Sequence, residues 1–355
     1  MNKAICITGL LGLLFLATGC SDDVESVSSS KSGGWLVPVD EVFDGGPGKD
    51  GIPALTNPAF VASSQISYMQ PTDLIIGVRV GETIRGYPHP ILDWHEIIND
   101  DPGGRALAIT YCPLTGSAIG WDRKVNGAVS TFGVSGLLYN TNLMPYDRAT
   151  NSTWSQMKLQ CVNGTLIGQT PQIYPVIETT WETWLSMYPD APVVSANTGF
   201  NRSYGIYPYR DYRSNNGFLL FPISMDDMRL SRKERILGVR TGNMTIAYRI
   251  GGFVDSLQIL NETAESVDYV VAGSAVHNFA VAFNRRTDDT TLLTFGPKTG
   301  ALPVIMVDNE GTEWDIFGRG VAGPRAGQQL APADSYIAFW FAWAVFNPGV
   351  EIYGM

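Results

Sequence analysis

The side chains best suited to chemistry are concentrated in one stretch of this 355-residue chain. His95, Glu96, Cys112 and Asp147 supply an imidazole, two carboxyls and a thiol, and the whole chain has 3 histidines and 4 cysteines. Such groups act as acids and bases, as nucleophiles and as metal ligands. We therefore take these four residues as candidate catalytic residues, and His95 with Cys112 as candidate ligands of copper or zinc.

Hydroxyl, amide and guanidinium side chains lie close to these candidates in the sequence. The residues selected as binding candidates are Thr115, Ser117, Tyr139, Asn140, Asn142 and Arg148. Aromatic and amide groups of this kind suit a glycan or another small ligand. Each residue also has a structural interpretation, because Asn-rich loops commonly bond their own backbone and a single cysteine is commonly buried or in a disulfide.

Three functions are compatible with these residues. The first is a binding site for a ligand or a transition metal, with carboxylate or amide oxygens completing the ligand set. The second is an enzyme in which Cys112 is the nucleophile and His95 the base, with Asp147 orienting the imidazole. The third is a module that binds a glycan or a peptide without catalysis. The residues alone name neither a ligand nor a reaction.

An internal repeat explains why the candidates are found in one part of the chain. The recurring segments are Ile76-Gly77-Val78-Arg79 with Leu237-Gly238-Val239-Arg240, Thr131-Phe132-Gly133 with Thr294-Phe295-Gly296, and Trp181 and Trp184 with Trp340 and Trp343. The offset between matching residues stays at about 160, which predicts a tandem duplication. The second copy has no equivalent of His95, Glu96 or Cys112. Shared residues are therefore interpreted as scaffold, and residues of the first copy alone as functional.

The first residues have the pattern of a bacterial lipoprotein signal peptide. Lys3 precedes an apolar stretch, and Leu16-Ala17-Thr18-Gly19 leads into Cys20. This pattern predicts cleavage after residue 19, lipidation of Cys20 and anchoring of the protein to a membrane of the cell envelope. The outer membrane or cell surface is favoured over the inner membrane. The remaining divisions are a flexible tether at 20–34, an approach segment at 35–73, the first repeat at 74–190, an aromatic and arginine-rich connector at 191–235, and the second repeat at 236–352.

Composition limits both partners and fold. A formal net charge of −10 argues against a nucleic-acid partner. The 38 glycines and 21 prolines indicate short strands joined by many turns. We expect an α+β fold that is mainly antiparallel β, with two tandem β-rich repeats in a pseudo-two-fold relation, packed as two lobes or as one shared barrel or sandwich. Helices are predicted at 91–99, 179–188 and 339–346, and a hairpin at Asn126-Gly127.

Several segments resemble the DUF3179 family, over about residues 74–352. They are Asp93-Trp94-His95-Glu96-Ile97-Ile98-Asn99-Asp100, Tyr111-Cys112-Pro113-Leu114-Thr115-Gly116-Ser117-Ala118, Thr131 to Asn140, Trp154-Ser155-Gln156, Thr198-Gly199-Phe200, Tyr207-Pro208-Tyr209 and Phe339 to Trp343. The resemblance implies a shared fold and an envelope setting, and no reaction, since the family is one of unknown function. Many members resemble Cys-Pro-Leu-Cys-Gly-Ser at the second motif. Thr115 replaces the second cysteine here, which argues against a redox pair or a dithiolate metal clamp.

Overall fold

The structure is a computed structural model that describes residues 34–253 and 256–355. The predicted signal peptide and lipidation site at Cys20 lie outside these residues. Strands dominate the described chain and its α-helices are short, so the expectation of a mainly antiparallel β protein with few short helices is confirmed. Within the described parts, no helix has the length and apolar character needed to cross a membrane.

We call residues 34–234 the N-terminal half and residues 235–355 the C-terminal half. The elements of the N-terminal half are β1 Val42–Asp44, β2 Leu55–Thr56, β3 Phe60–Val61, β4 Leu74–Val80, β5 Thr83–Pro88, α1 His89–His95, β6 Ile97–Asp100, β7 Leu107–Cys112, β8 Ser117–Asp122, β9 Lys124–Val125, β10 Ala128–Val129, β11 Phe132–Tyr139, β12 Asn142–Asp147, β13 Thr153–Ser155, β14 Gln160–Asn163, β15 Ile173–Tyr174, β16 Ile177–Thr180, α2 Trp181–Met187 and β17 Val193–Val194. The elements of the C-terminal half are β18 Arg235–Thr241, β19 Met244–Arg249, β20 Gln258–Ala264, β21 Val267–Ser274, β22 Phe279–Asn284, β23 Phe295–Pro297, β24 Val304–Asp308, β25 Glu313–Asp315, β26 Gly320–Ala322, β27 Ser335–Phe339, α3 Trp340–Phe346 and β28 Glu351–Ile352.

One sheet runs through both halves. Its strand order is β2-β6-β7-β8-β27-β18-β19-β28, with β15 beside β8. The halves join where β27 pairs antiparallel with β8, with Ile337 opposite Ala118. Smaller sheets pack around it. In the N-terminal half they are β16-β4-β5-β17-β3 and β1-β11-β12-β13-β14, and in the C-terminal half they are β20-β21-β22 and β23-β24-β25-β26.

Both halves contain a hairpin, a returning strand and a helix in the same arrangement. In the N-terminal half, β16 pairs antiparallel with β4 and places Ile177 opposite Gly77. In the C-terminal half, β27 pairs antiparallel with β18 and places Tyr336 opposite Gly238. The helix comes directly after the returning strand in each case, and β17 and β28 then run parallel to β5 and β19.

An indole ring packs directly on the glycine of each hairpin. A Cβ atom at Gly77 would lie 2.3 Å from Trp184, and one at Gly238 would lie 2.1 Å from Trp343. Both tryptophans are fully buried. The expectation that the repeated tryptophans are core residues is thus met at these two positions. Glycine is required there because no other residue leaves room for the ring.

An asparagine clamps the backbone of the equivalent phenylalanine in each half. The Asn99 amide accepts from the Phe132 N–H at 2.8 Å and donates to the Phe132 carbonyl at 2.9 Å. Asn261 makes the same two bonds with Phe295, at 2.9 and 2.8 Å. These clamps fix where β11 and β23 begin.

The first predicted helix is shorter than expected, and the other two agree closely. We expected helix over 91–99, but α1 covers His89–His95 and residues from Ile97 form strand β6 beside β7. The helix ends because Glu96 has φ 56° and ψ −31°, which reverses the chain. The Asn126-Gly127 hairpin is confirmed, with φ of 49° and 82°, as its turn type requires.

Substituting Gly238 by alanine tests the indole-on-glycine packing. The new methyl overlaps Trp343, so G238A should lower the free energy of unfolding by about 3 kcal/mol. Gly296→Ala is the matched control, because no heavy atom lies within 4 Å of a Cβ built there, and it should change stability by less than about 0.5 kcal/mol. Urea unfolding followed by tryptophan fluorescence measures both. Equal stability of the two variants would show that the ring is not held as described.

Candidate functional site

Helix α1 brings two carboxyl groups to the same region of the N-terminal half. Asp93 lies in its last turn and Glu96 caps its C-terminus. The charges of both carboxyls raise the pKa of Tyr209 after burial does, so both groups lie near this ring. Glu96 has positive φ, a conformation that costs a non-glycine residue about 1 kcal/mol or more.

Both carboxyl groups are buried and have few hydrogen-bond or charge partners. Asp93 is 3% exposed and Glu96 is 5% exposed. The Oδ1 atom of Asp93 has no hydrogen-bond partner among the described residues. Burial raises the pKa of Asp93 to about 8 and the pKa of Glu96 to about 8. Both groups are therefore mostly protonated at pH 7. Burying an acid without hydrogen-bond partners normally lowers the stability of the fold.

The connector covers these acids. The Tyr207 hydroxyl donates to the Pro113 carbonyl at 3.2 Å, and the Tyr212 hydroxyl donates to the Leu114 carbonyl at 3.0 Å. These bonds hold residues 207–213 against the turn between β7 and β8. Burial, and then the charge of Asp93, raise the pKa of Tyr207. We call the group formed by Asp93, Glu96, Tyr111, Cys112, Tyr207 and Tyr209 the acidic cluster.

Arg213 lies at the rim of the acidic cluster. Its guanidinium carbon is 4.3 Å from the centroid of the Tyr207 ring. Its Nη1 atom is 3.8 Å from Asp93 Oδ2, and 46% of its side chain is exposed. The contact with the carboxyl is too long for a hydrogen bond. The protein thus places one of its own cations between an aromatic face and a carboxyl, in a weakly held position.

Cys112 lies inside the cluster as a protonated thiol. Its sulfur accepts from the Leu143 N–H at 3.4 Å and lies 3.8 Å from the Thr141 carbonyl. Burial first, and then the charge of Glu96, raise the pKa of Cys112 to about 11. The thiolate is the nucleophilic and metal-binding form. The environment therefore does not favour the nucleophile or the soft metal ligand predicted at Cys112.

His95 is held by two other parts of the chain. Its Nδ1 lies 2.7 Å from the Pro53 carbonyl and its Nε2 lies 2.7 Å from the Tyr204 hydroxyl. Because a carbonyl only accepts, Nδ1 carries the proton and the neutral ring accepts from Tyr204 through Nε2. Burial lowers the pKa of His95, which favours this neutral form. Both ring nitrogens are committed, so His95 ties the approach segment to the connector.

The metal site and the catalytic pair predicted for His95 and Cys112 stay predictions. In the described residues neither side chain bonds the other. Over the same residues, no group of three histidine, cysteine, aspartate or glutamate side chains is placed to hold a metal ion. Cys112 and Cys161 are both free and buried, so the disulfide considered from the sequence is not formed.

Asp147 bonds a tryptophan indole and a nearby turn, and an aspartate in the other half makes the same indole contact. Its carboxylate accepts from the Thr150 N–H at 2.7 Å and from the Trp154 indole at 3.2 Å. In the C-terminal half, Asp308 accepts from the Trp314 indole at 2.9 Å. Asp147 is therefore not peculiar to the first repeat, and it does not contact the His95 imidazole that it was expected to orient.

Three of the predicted binding residues form a closed network in the core. Asn142 Nδ2 donates to Thr115 Oγ1 at 2.9 Å and to Gln156 Oε1 at 2.8 Å. Ser117 Oγ donates to Gln156 Oε1 at 2.7 Å, and Gln156 Nε2 donates to Thr110 Oγ1 at 2.9 Å. All five side chains are buried. Their polar atoms are used by one another, and Thr115 serves as a network member at the position of the second cysteine of the Cys-Pro-Leu-Cys pattern.

The other three predicted binding residues hold surface segments. Asn140 Oδ1 accepts from the Ser224 N–H at 2.8 Å. The Tyr139 ring lies 5.7 Å from that of Phe346. Arg148 bonds Asp50 at 2.9 Å. Asn140 thus secures the far end of the connector, and the site for a glycan or small ligand that these side chains suggest stays a prediction.

Sequence reasoning missed Asp93 and Tyr111. Asp93 stood in a quoted motif, three residues before Glu96, and a carboxyl on an apolar helix was the available signal. Tyr111 precedes Cys112 at the end of β7, where its ring lies 4.2 Å from that of His89. The segment at 191–235 is named in the sequence analysis for its aromatic residues and arginines, and its Tyr207, Tyr209 and Arg213 lie at the cluster.

Comparison with known proteins identifies a family without a known function. The family model described as "Protein of unknown function (DUF3179)" matches residues 49–350. The chain therefore belongs to the DUF3179 family, and the resemblance noted in its motifs is confirmed. No curated protein and no solved structure matches the chain.

The pH dependence of stability tests the buried acids. Their pKa values of about 8 exceed those of unfolded chains, near 4, so the folded state binds protons more tightly. Stability from these groups is complete below about pH 4 and is lost as the pH rises through about 8. Each group should cost about 1–2 kcal/mol between pH 6 and 8.

The variants D93N and E96Q should each flatten this decline, because a neutral amide cannot ionise. Urea unfolding at pH 6, 7 and 8 measures the slope. Glu182→Gln, at an exposed position of α2, is the matched control and should retain the wild-type slope. A wild-type slope in both D93N and E96Q would contradict the pKa assignment.

Proposed function

We propose that this member of the DUF3179 family is a membrane-anchored lipoprotein of the bacterial envelope that binds a small organic cation at the acidic cluster. The ligand class is a primary ammonium or a guanidinium group. The observation that carries the proposal is the pair of buried carboxyls on α1, with Asp93 Oδ1 unpartnered among the described residues. Buried acids with strongly raised pKa values are characteristic of functional sites.

The surroundings of the pair support a cationic ligand. Negative charge and aromatic rings together bind organic cations through ion pairing and cation–π attraction. Arg213 already makes both kinds of contact, with Tyr207 at 4.3 Å and Asp93 at 3.8 Å. Its side chain is nearly half exposed, so a ligand can displace it at low cost. The formal net charge of −10 also attracts cations toward the protein.

Transition metals fit less well than an organic cation. The thiol of Cys112 has a pKa raised to about 11, so binding of a soft metal must first remove a tightly held proton. Both nitrogens of His95 are engaged. Copper or zinc binding accordingly becomes an outcome that the binding experiment must distinguish.

The internal repeat supports the proposal, because the acids lie in one half only. We infer a tandem duplication, supported by the equal registers at Gly77 and Gly238 and by the equal clamps of Asn99 and Asn261. A helix comes after the first hairpin, whereas a 3-10 turn at Ile250–Gly252 comes after the second. The acids of the cluster thus follow the first hairpin on or directly after a helix, whereas the described residues after the second hairpin, up to residue 253, form a 3-10 turn.

Binding of agmatine, which carries both an ammonium and a guanidinium group, tests the site. We expect calorimetry at pH 7 to show binding that D93N and E96Q each weaken at least tenfold. Binding should release protons, since the carboxyls with a pKa of about 8 must ionise, so the heat should differ between phosphate and Tris buffers. Arg213→Ala should bind agmatine about tenfold more tightly because the competing cation is gone.

Arg210→Ala is the matched control for Arg213→Ala, since Arg210 is exposed in the same segment, and it should bind like wild type. Zinc and copper chlorides form a second arm of the titration. The proposal fails if agmatine affinity is the same in wild type, D93N and E96Q, or if only the metal ions bind and C112S abolishes that binding.

The lipid anchor needs a separate test in living bacteria. Radiolabelled palmitate should be incorporated into the wild type, which should fractionate with membranes. Cys20→Ala should lose both the label and the membrane association, because the thiol that receives the lipid is gone. Cys6→Ala is the matched control within the predicted signal peptide and should still be labelled. Labelling of C20A would contradict the predicted anchor.

A further inference from the structure

A cavity lies at the junction of the two halves. Its volume is about 630 Å³, and residues of β8, β15, β16, β22 and β27 line it. In the described residues none of the acidic-cluster side chains lines it. A cavity of this size is in the range of sites for small organic molecules.

The walls of the cavity are largely apolar. They include Ile119 and Val176 from the N-terminal half and Phe283 and Ile337 from the C-terminal half. Each of these belongs to or packs on a different hydrophobic cluster, so the cavity lies where four cores meet. Charged groups also line it, among them Lys158 and an Arg240–Asp334 ion pair of 2.8 Å whose side chains are partly exposed.

One buried carboxylate lines this apolar cavity. Glu178 is 2% exposed. Its Oε2 atom lies 3.2 Å from Arg235 Nη2 and 3.0 Å from His89 Nε2. The other oxygen, Oε1, has no hydrogen-bond partner in the described parts of the chain. A buried acceptor without a donor costs about 1–3 kcal/mol, and a ligand that supplied the donor would remove this cost.

We propose that the cavity binds a mostly apolar small molecule whose hydroxyl or amine group donates a hydrogen bond to Glu178 Oε1. Arg235 compensates the charge of the carboxylate, so the ligand need not be cationic. Apolar contacts with the walls supply affinity, and the single hydrogen bond fixes the orientation. Its ligand differs from that of the proposed cation site. The His89 ring, which lies against Tyr111 of the acidic cluster and 3.0 Å from Glu178, stands between the two sites.

Two matched fluorescent probes test the inference. N-phenyl-1-naphthylamine is apolar and carries one N–H donor, whereas 1-phenylnaphthalene has nearly the same shape and no donor. The amine should bind the wild type at least fivefold more tightly than the hydrocarbon. Glu178→Gln, which removes the charge of the acceptor, should reduce this ratio toward one while the hydrocarbon still binds.

A cavity-filling variant tests the location. Val176 is only partly buried, so V176W can fill the cavity with little risk to folding, and it should weaken both probes at least tenfold. Val129→Trp, at a position 63% exposed on β10, is the matched control and should bind like wild type. Circular dichroism confirms that each variant is folded.

The inference is overturned if V176W and V129W bind the probes equally, or if the amine and the hydrocarbon bind the wild type equally. D93N and E96Q should leave probe binding unchanged, whatever their effect on agmatine. Failure of the cation site and failure of this cavity site are therefore separate results.

Discussion

The packing of an indole ring on a strand glycine fixes the framework of both halves. Trp184 covers Gly77 and Trp343 covers Gly238, at distances that exclude any Cβ atom. Each ring belongs to a helix that continues directly from a returning strand, so one contact sets the hairpin, the third strand and the helix relative to one another. The position of α1, which continues from β5, depends on this contact because β5 is the partner strand of the same hairpin.

The two halves differ most in the element that comes after the hairpin. After β5 the chain forms a seven-residue helix, and this helix carries Asp93 and leads into the strained Glu96. After β19 it forms the 3-10 turn Ile250–Gly252. The two halves thus share the hairpin, the returning strand and the helix after it, and the element by which they differ carries the buried acids in the N-terminal half. This division of scaffold and function is the reason to look for activity at α1 and to treat the shared tryptophans and asparagines as structural.

Sequence reasoning succeeded where local signals decide the structure. The Asn126-Gly127 hairpin, the helices at Trp181 and Trp340 and the special role of the connector were all readable from turn residues, periodicity and composition. It failed at α1, because the helical spacing of apolar residues through Ile98 gave no warning that Glu96 adopts positive φ. The carboxyl of Asp93 on this apolar helix was visible and was overlooked in favour of histidine.

The roles of His95 and Cys112 could not be read from the sequence because their partners are distant. His95 is bound by Pro53 and Tyr204, which lie 42 and 109 residues away along the chain. Cys112 is governed by burial and by the nearby Glu96 charge. Residue type suggested reactivity in both cases. The environment of each side chain decides its reactivity. Here the imidazole is neutral and links two segments of the chain, and the thiol keeps its proton.

The two proposed sites differ in how their carboxyl groups are neutralised, and this difference determines what each can recognise. Glu178 is compensated by Arg235, a group that stays charged at all accessible pH values. Its free oxygen is then an acceptor for a neutral donor. Asp93 and Glu96 are compensated mainly by their own protons, since burial raises both pKa values to about 8. A proton is easily exchanged for another cation near neutral pH, whereas an arginine is not. The acidic cluster is thus suited to cations in a pH-dependent manner, and the cavity between the halves to uncharged apolar donors.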